Sequence, residues 1–438
     1  MGAAPLDETL DPLERRRHVN AVHPDAKDSG LRRSLRQVRC CKAAGEESEV
    51  MRVTTTVAEP TTSATVAIRP TPKRIGHSLR SILVASGTRV KAVAVDVNPA
   101  TRDVITGTET FTREVARRLP AAAPELRWRF FASRPRAGLG VDAMVLPFPR
   151  MWSQVRLPLA LAAERPDLLF VPGHAVPFAW PGRLLTVVHD LAFERHPDVY
   201  RPAERAYLRL TTRWAAARCR LLIAVSESTR HDLVELYGVS PERVRVVPLG
   251  ITTPRAAAAP ASRLAELGLD GGFVLQVGRI EARKNQVAAL AAVEKLDGVI
   301  LAVAGPESDP LVSARLKNSA RCRVLGVVDQ PTLELLYRKA EAVVVPSLYE
   351  GFGLPVLEAM ARGKVVVAAK SSSLPEVGGE GALYFHDGDD LAAVLATALR
   401  DEELRKRLAK AAKARAATYT WEKTAAAVAA VVRELLGP

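Results

Sequence analysis

The stretch VVVPSLYEGFGLPVLEAMARGKVVVAAK, residues 343–370, decides the fold. Residues 343–345 are β-branched and apolar and stop at Pro346, which reads as a buried strand. A loop carrying Gly351 and Gly353 follows. Pro355 suits the first turn of a helix, where its missing N–H is not needed. The spacing predicts a helix to about Ala361, a stop at Gly363 and a second buried strand over 364–369. Strand, glycine loop, helix, strand is half of a parallel α/β sheet. Such sheets bind ligands at the carboxyl ends of their strands.

Two carboxylates bracket that loop. Glu350 precedes the glycines, and Glu358 lies about one turn into the helix. First-turn amides near Leu354 and Val356 are expected to lack intrahelical acceptors, and with the helix dipole they favour an anion. Acids on both sides of a phosphate seat suit a ligand with hydroxyls at both ends, such as a nucleotide sugar. On spacing alone, a structural turn with solvated glutamates is an equal reading.

The pattern of a strand running into a polar end recurs along the chain. Residues 91–97 form a first apolar run, followed by a loop and a helix over 109–119 with Gly107 just ahead of it. Residues 184–188 run into His189-Asp190, a pair placed at a strand end where chemistry occurs; an Asp cap beside a satisfied histidine is the plainer alternative. Ser226 or Ser228 can cap a helix over 229–237. Residues 273–277 run into GRIEARKN, which sets Arg279 and Lys284 five apart before a helix. A forked guanidinium and a mobile ammonium at a strand end form an anion clamp, though a solvated basic loop has the same composition. Asp387-x-Asp389 has the spacing of a metal chelate. Asp389 or Asp390 reads more simply as a helix N-cap, so no metal is expected.

At 438 residues the chain accommodates two domains and a tail. No run of about eighteen uncharged apolar residues suits a membrane helix. Cys40, Cys41, Cys219 and Cys322 show neither zinc spacing nor a disulfide framework, which fits a reducing cytoplasm. The net charge of +14 comes from dispersed arginines without a helix-turn-helix or RNA-binding signature, so nucleic acid is not the expected partner. The basic balance suits an anionic donor and peripheral contact with an acidic membrane surface, at the inner face. Residues 1–89 mix charges with a Thr-, Ala- and Pro-rich tract and no apolar period, as a disordered leader would.

The motif E-G-F-G-L-P-x-L-E-A-M-A-x-G resembles the signature of the family 4 retaining glycosyltransferases, group 1 enzymes of GT-B fold. The resemblance implies two Rossmann-like domains whose parallel sheets face each other across a cleft. An acceptor domain over 90–252 would be followed by a nucleotide-sugar donor domain over 253–420, with a hinge near 252–263. A final helix over 421–438 would pack back on the first domain. It implies that Glu350 contacts the transferred sugar, that Glu358 holds the ribose, and that the backbone of Gly351, Phe352, Gly353 and Leu354 meets the sugar and diphosphate. V-V-H-D-L-A-F-E-R-H-P is similar to the family stretch whose histidine reaches the sugar, here His189. G-R-x-x-x-x-K-N assigns Arg279 and Lys284 to the diphosphate, without a metal cofactor. TGTE replaces the usual double glycine, so Gly107 and Thr108 alone carry over. Similarity to bacterial mannosyltransferases points to GDP-mannose, with a UDP-hexose as the other donor, and to a glycan or lipid-linked acceptor in polysaccharide or glycolipid synthesis. A nucleotide-sugar epimerase or hydrolase on the same fold, and a non-catalytic nucleotide-sugar-binding scaffold, are the competing readings.

Overall fold

The computed structural model describes residues 89–102, 107–147, 151–173, 175–252, 257–386 and 388–437. The leader, His174, part of the expected hinge and Asp387 lie outside the described residues.

Apolar β-branched runs separated by helices build parallel sheets, because each crossover returns the chain to the same sheet edge. Among the described residues the strands form one sheet of seven and one of six. The first contains β1 (Ala92–Asp96), β2 (Arg127–Ala132), β3 (Ala143–Val145), β4 (Leu168–Val171), β5 (Leu184–Val188), β6 (Leu222–Ala224) and β7 (Val244–Val246). Its order is β3-β2-β1-β4-β5-β6-β7. The second contains β8 (Gly272–Val277), β9 (Val299–Ala304), β10 (Cys322–Gly326), β11 (Ala342–Val345), β12 (Val366–Ala369) and β13 (Leu383–Phe385). Its order is β10-β9-β8-β11-β12-β13. All pairings are parallel. Strand order reverses between β1 and β4 in one sheet and between β8 and β11 in the other. Open sheets of this kind bind ligands outside the carboxyl ends of the strands at such a reversal. Every residue of β1, β4, β5, β11 and β12 is buried, as expected of strands covered on both faces.

The Trp421–Leu436 helix leaves the second sheet and lies along the first. Thr424 Oγ1 donates to Pro248 O at 2.9 Å, Arg433 pairs with Glu125 at 2.7 Å, and Lys91 Nζ donates to Gly437 O at 2.8 Å. The Trp421 ring sits 6.4 Å from that of Phe111, edge to face. Gly250 must be glycine because a Cβ there would collide with the backbone at Trp421.

Some local bounds differ from those expected, and one helix was not anticipated. The Gly388–Arg400 helix starts before Asp389 and Asp390, so both lie in its first turn rather than at its cap. The first helix begins at Gly107, not Glu109. The region after β3 is a π turn, Trp152–Arg156, continuing into a Leu157–Glu164 helix. LPLALAAE is apolar on every face, so no 3.6-residue period announces that helix. No helix among the described residues is long and apolar enough to cross a membrane.

Candidate functional site

Glu350 follows β11 and is only 8% exposed. Its Oε1 accepts from Lys284 Nζ at 2.6 Å and from Ser347 Oγ at 2.8 Å. The Arg283 guanidinium stands 3.7 Å from its other oxygen. Ser372 Oγ accepts from the Glu350 N–H, and Ser373 Oγ donates to the Glu350 carbonyl, so the residue is held at both backbone ends. Burial works to raise the Glu350 pKa. The charges of Lys284 and Arg283 outweigh it and hold the carboxyl below its ordinary value. Lys284 is positioned by the turn after β8, where its carbonyl accepts from the Gln276 side chain at 2.9 Å. The structure therefore joins Lys284 directly to Glu350. Arg279 lies at the end of the same strand, exposed, with Nη1 donating to Ser308 Oγ at 3.1 Å; it does not touch either glutamate.

The Leu354–Ala361 helix carries Glu358, half-buried, which accepts from the Tyr337 hydroxyl at 2.8 Å. Burial pushes its carboxyl up, against that hydrogen bond and the Arg362 charge. The amides between the two glutamates are not all open. Val356 N–H is taken by Gly353 O at 3.0 Å in a tightened first turn, which corrects the expectation for that residue. Among the described residues nothing accepts from the amides of Phe352, Gly353 and Leu354. Gly353 holds φ at 101°, a conformation side-chain-bearing residues resist, so those amides depend on glycine.

The first sheet supplies the facing wall. His189 follows β5 directly, and its Nε2 lies 2.8 Å from Pro172 O. A carbonyl only accepts, so Nε2 carries the proton and Nδ1 is left as an acceptor. Burial lowers the His189 pKa, against that bond and nearby acids, which favours the neutral ring. Its ring meets Phe111 edge to face at 5.2 Å. Gly351 is pressed against the His189 carbonyl, with no room for a Cβ. A Cβ on Gly107 would just touch Leu354. Both lobes thus meet at the glycine loop, and His189, Gly107, Glu350 and Lys284 come together there.

Polar contacts hold that meeting in place. Ser226, which caps the Glu227–Tyr237 helix, also donates through Oγ to Gly351 O at 2.6 Å. The buried Tyr349 hydroxyl donates to Asp232 at 2.6 Å and accepts from Leu191 N–H at 3.2 Å. Arg195 pairs with Asp232 at 2.6 Å. Glu376, in the L-P-E-V stretch 374–377, accepts from the amides of Glu227 and Ser228 and so caps a helix of the other lobe.

A cavity of about 430 Å³ opens where the order of the first sheet reverses, with His189 and Thr108 on its wall. At its base is Asp96, 3% exposed, at the end of β1. Asp96 Oδ1 accepts from Asn98 N–H and Trp152 Nε1–H, both at 3.0 Å. Burial nevertheless pushes its carboxyl up to about 6.

Residues 105–255 match Glycosyltransferase Family 4, and residues 265–415 match glycosyl transferases group 1. The chain is 30% identical over 269 residues to O-antigen chain mannosyltransferase B of Escherichia coli, spanning 57% of this chain and 70% of that protein. The chain belongs to the group 1, family 4 glycosyltransferases. This glycosyltransferase is also 34% identical over 234 residues to a D-inositol 3-phosphate glycosyltransferase of Mycobacterium avium, spanning 50% of this chain and 55% of that one. It therefore matches about half the length of that relative. Sucrose-phosphate synthase from Thermosynechococcus elongatus superposes with a TM-score of 0.64 at 21% identity, over 79% of this chain and 99% of that one. Anabaena HepE, solved with UDP-glucose, gives 0.63 at 18% identity, over 79% of this chain and all of the other. The fold of the glycosyltransferase is GT-B.

Sequence reasoning missed Asp96, Trp152, Tyr349 and Asp232. Asp96 had a visible signal, a lone acid closing the otherwise apolar AVAVD. Tyr349 sits inside the quoted stretch 343–370, just before the motif, but its partner is 117 positions away. Nothing local marks Trp152.

Proposed function

We propose that the enzyme moves a hexose from a nucleotide-sugar donor to a glycan or lipid-linked acceptor with retention of configuration. The observation that carries this reading is the Lys284–Glu350 pair beside the open amides of residues 352–354, facing His189 of the other lobe. In this reading the donor diphosphate seats on those amides and on Lys284 and Arg279. Glu350, freed from part of its pairing, contacts the hexose, and Glu358 holds the ribose. His189 offers its backbone and ring edge to the sugar. The bond from the anomeric carbon to the diphosphate breaks, and a bond to the acceptor oxygen forms on the same face. The acceptor proton passes to the departing phosphate. Charge grows on that phosphate as the bond opens, so fixed cations stabilise the transition state more than the ground state. With two cations in this role, the reaction runs without a bound metal. Resemblance to mannosyltransferases favours GDP-mannose over UDP-hexoses, and the basic composition favours work at the inner, cytoplasmic membrane face.

A thermal-shift screen against GDP-, UDP- and ADP-sugars identifies the donor. NMR of the product then reads its anomeric configuration. The expected results are donor-dependent stabilisation, a retained anomer, full activity in EDTA, and a loss of about a thousandfold in kcat/KM for Lys284→Ala. Inverted product or free sugar released without acceptor would overturn the proposal; the second outcome describes a hydrolase.

A further inference from the structure

Lys284 cannot serve two anions at once. Its Nζ holds Glu350 Oε1 at 2.6 Å, and in the reading above it turns to the donor diphosphate. Glu350 then stands buried without its closest cation, and the diphosphate brings negative charge beside it. Burial and a nearby like charge both push a carboxyl toward its protonated form, and a buried charge left unpaired is costly. A second cation has to keep Glu350 ionised while the donor is bound.

Arg283 is placed to do this, and its contacts fix it. Its Nη1 donates to the Tyr349 carbonyl at 2.7 Å, and its Nη2 donates to Glu281 Oε1 at 2.7 Å. Its own carbonyl accepts from Leu348 N–H at 2.9 Å. Residues 348 and 349 lead directly into Glu350, so one arginine grips, by side chain and backbone, the segment that aims the carboxylate. Nη1 also stands 3.7 Å from Glu350 Oε2, the oxygen that Lys284 does not take. A planar guanidinium tied along two edges stays in place, whereas an ammonium on a four-carbon stem swings.

The charged and titratable groups around this pair come from both lobes. Among the described residues Glu350 faces the charges of Lys284 and Arg283 and the hydroxyl of Ser347. Arg283 faces Glu350 and Glu281 of its own lobe, and Asp190 and Tyr200 of the other. His196 of the first lobe is also near enough that burial and the Arg283 charge both lower its pKa. The acids outweigh burial and raise the pKa of Arg283, so its charge is present throughout the working pH range.

We propose that Arg283 is a positioning residue for transfer: it is the fixed countercharge that keeps Glu350 an aimed carboxylate after Lys284 moves to the diphosphate. Two cations adjacent in sequence thus divide the work. Lys284 follows the donor, and Arg283 stays with the acid. The proposal rests on the transferase reading above for the movement of Lys284, and its test separates the two.

The test is the pH dependence of donor binding by the full chain. GDP-mannose and UDP-glucose are titrated calorimetrically from about pH 5 to 8, beside GDP and UDP, which carry no hexose for Glu350 to hold. Arg283→Gln removes the charge but keeps an N–H for the Tyr349 carbonyl. Without that charge Glu350 takes up a proton at a higher pH, so the acid limb of sugar-nucleotide affinity is expected to move toward neutral by about 1–3 units. Below the displaced limb the variant binds up to about tenfold more weakly for each pH unit. GDP and UDP are expected to show no displaced limb. Arg283→Lys keeps the charge and loses the fork, so its limb is expected to stay with the parent's. In a Glu350→Gln background, Arg283→Gln is expected to move no limb, because it acts through that carboxylate. An Arg283→Gln limb that coincides with the parent's, a loss equal at every pH as a mere brace would give, or the same displacement with Glu350→Gln would overturn the proposal. Transfer is assayed separately. A displaced limb together with inverted product, or with sugar released without acceptor, would leave this assignment standing and sink the transferase reading instead.

Discussion

The Asp96→Asn substitution makes a prediction about stability whose sign is unusual for a buried polar residue. The carboxyl is pushed up to about 6 by burial, from an ordinary 3.8. The native state therefore holds a proton that the unfolded chain has released. An acid raised in this way lowers stability as pH climbs from 3.8 to about 6, and the loss is complete above that. Each pH unit of the difference is worth ~1.4 kcal/mol, so ionised Asp96 costs about 3 kcal/mol at neutral pH. Asparagine keeps an acceptor for Asn98 N–H and Trp152 Nε1–H and removes the charge. The variant is expected to be more stable than the parent by up to about 3 kcal/mol near pH 7, with the gap closing as pH falls below about 6. Paired urea unfolding curves across that range, fitted with a common slope, measure it. A variant that is less stable at neutral pH, or a gap that does not change with pH, would refute the reasoning.

Other perturbations probe the meeting of the lobes. In Gly351→Ala the new methyl collides with the His189 carbonyl, and a displacement of the loop by about 1 Å predicts a loss near a hundredfold in kcat/KM; unchanged kinetics would mean that the loop does not dock there during turnover. Tyr349→Phe leaves Asp232 and Leu191 N–H without the hydroxyl they share, and it is expected to cost about 1.5–3 kcal/mol by denaturant unfolding, more than the same change at the exposed Tyr207. Glu350 sits below its ordinary pKa beside Lys284 and Arg283, so its contribution is present above 4.5 and is lost as pH falls through the lower folded value. Lys284→Met removes much of that depression. The acid unfolding limb of the variant should therefore lie closer to neutral pH than the parent's, and coincident limbs would show that Arg283 alone sets the Glu350 pKa.

The sequence by itself determined the elements and the chemistry at their ends. Buried β-branched runs, glycine stops and capping residues specify strands and helices within a few positions, because those preferences act over one or two turns of chain. Residues 184–188 are bounded in the structure as their sequence reads, and the final helix, expected over 421–438, ends at Leu436. Lys284 and Glu350 were both named as candidates from local spacing. Tertiary structure alone decided that they touch, that Val356 N–H is already used, and that Arg279 stands apart from both acids. It also brought Asp96 to Trp152, 56 positions away, and Glu376 to the start of a helix 149 positions back in the chain. Such pairings join groups on separate elements. Their energy depends on burial and distance, and those quantities exist only once the separate elements have packed.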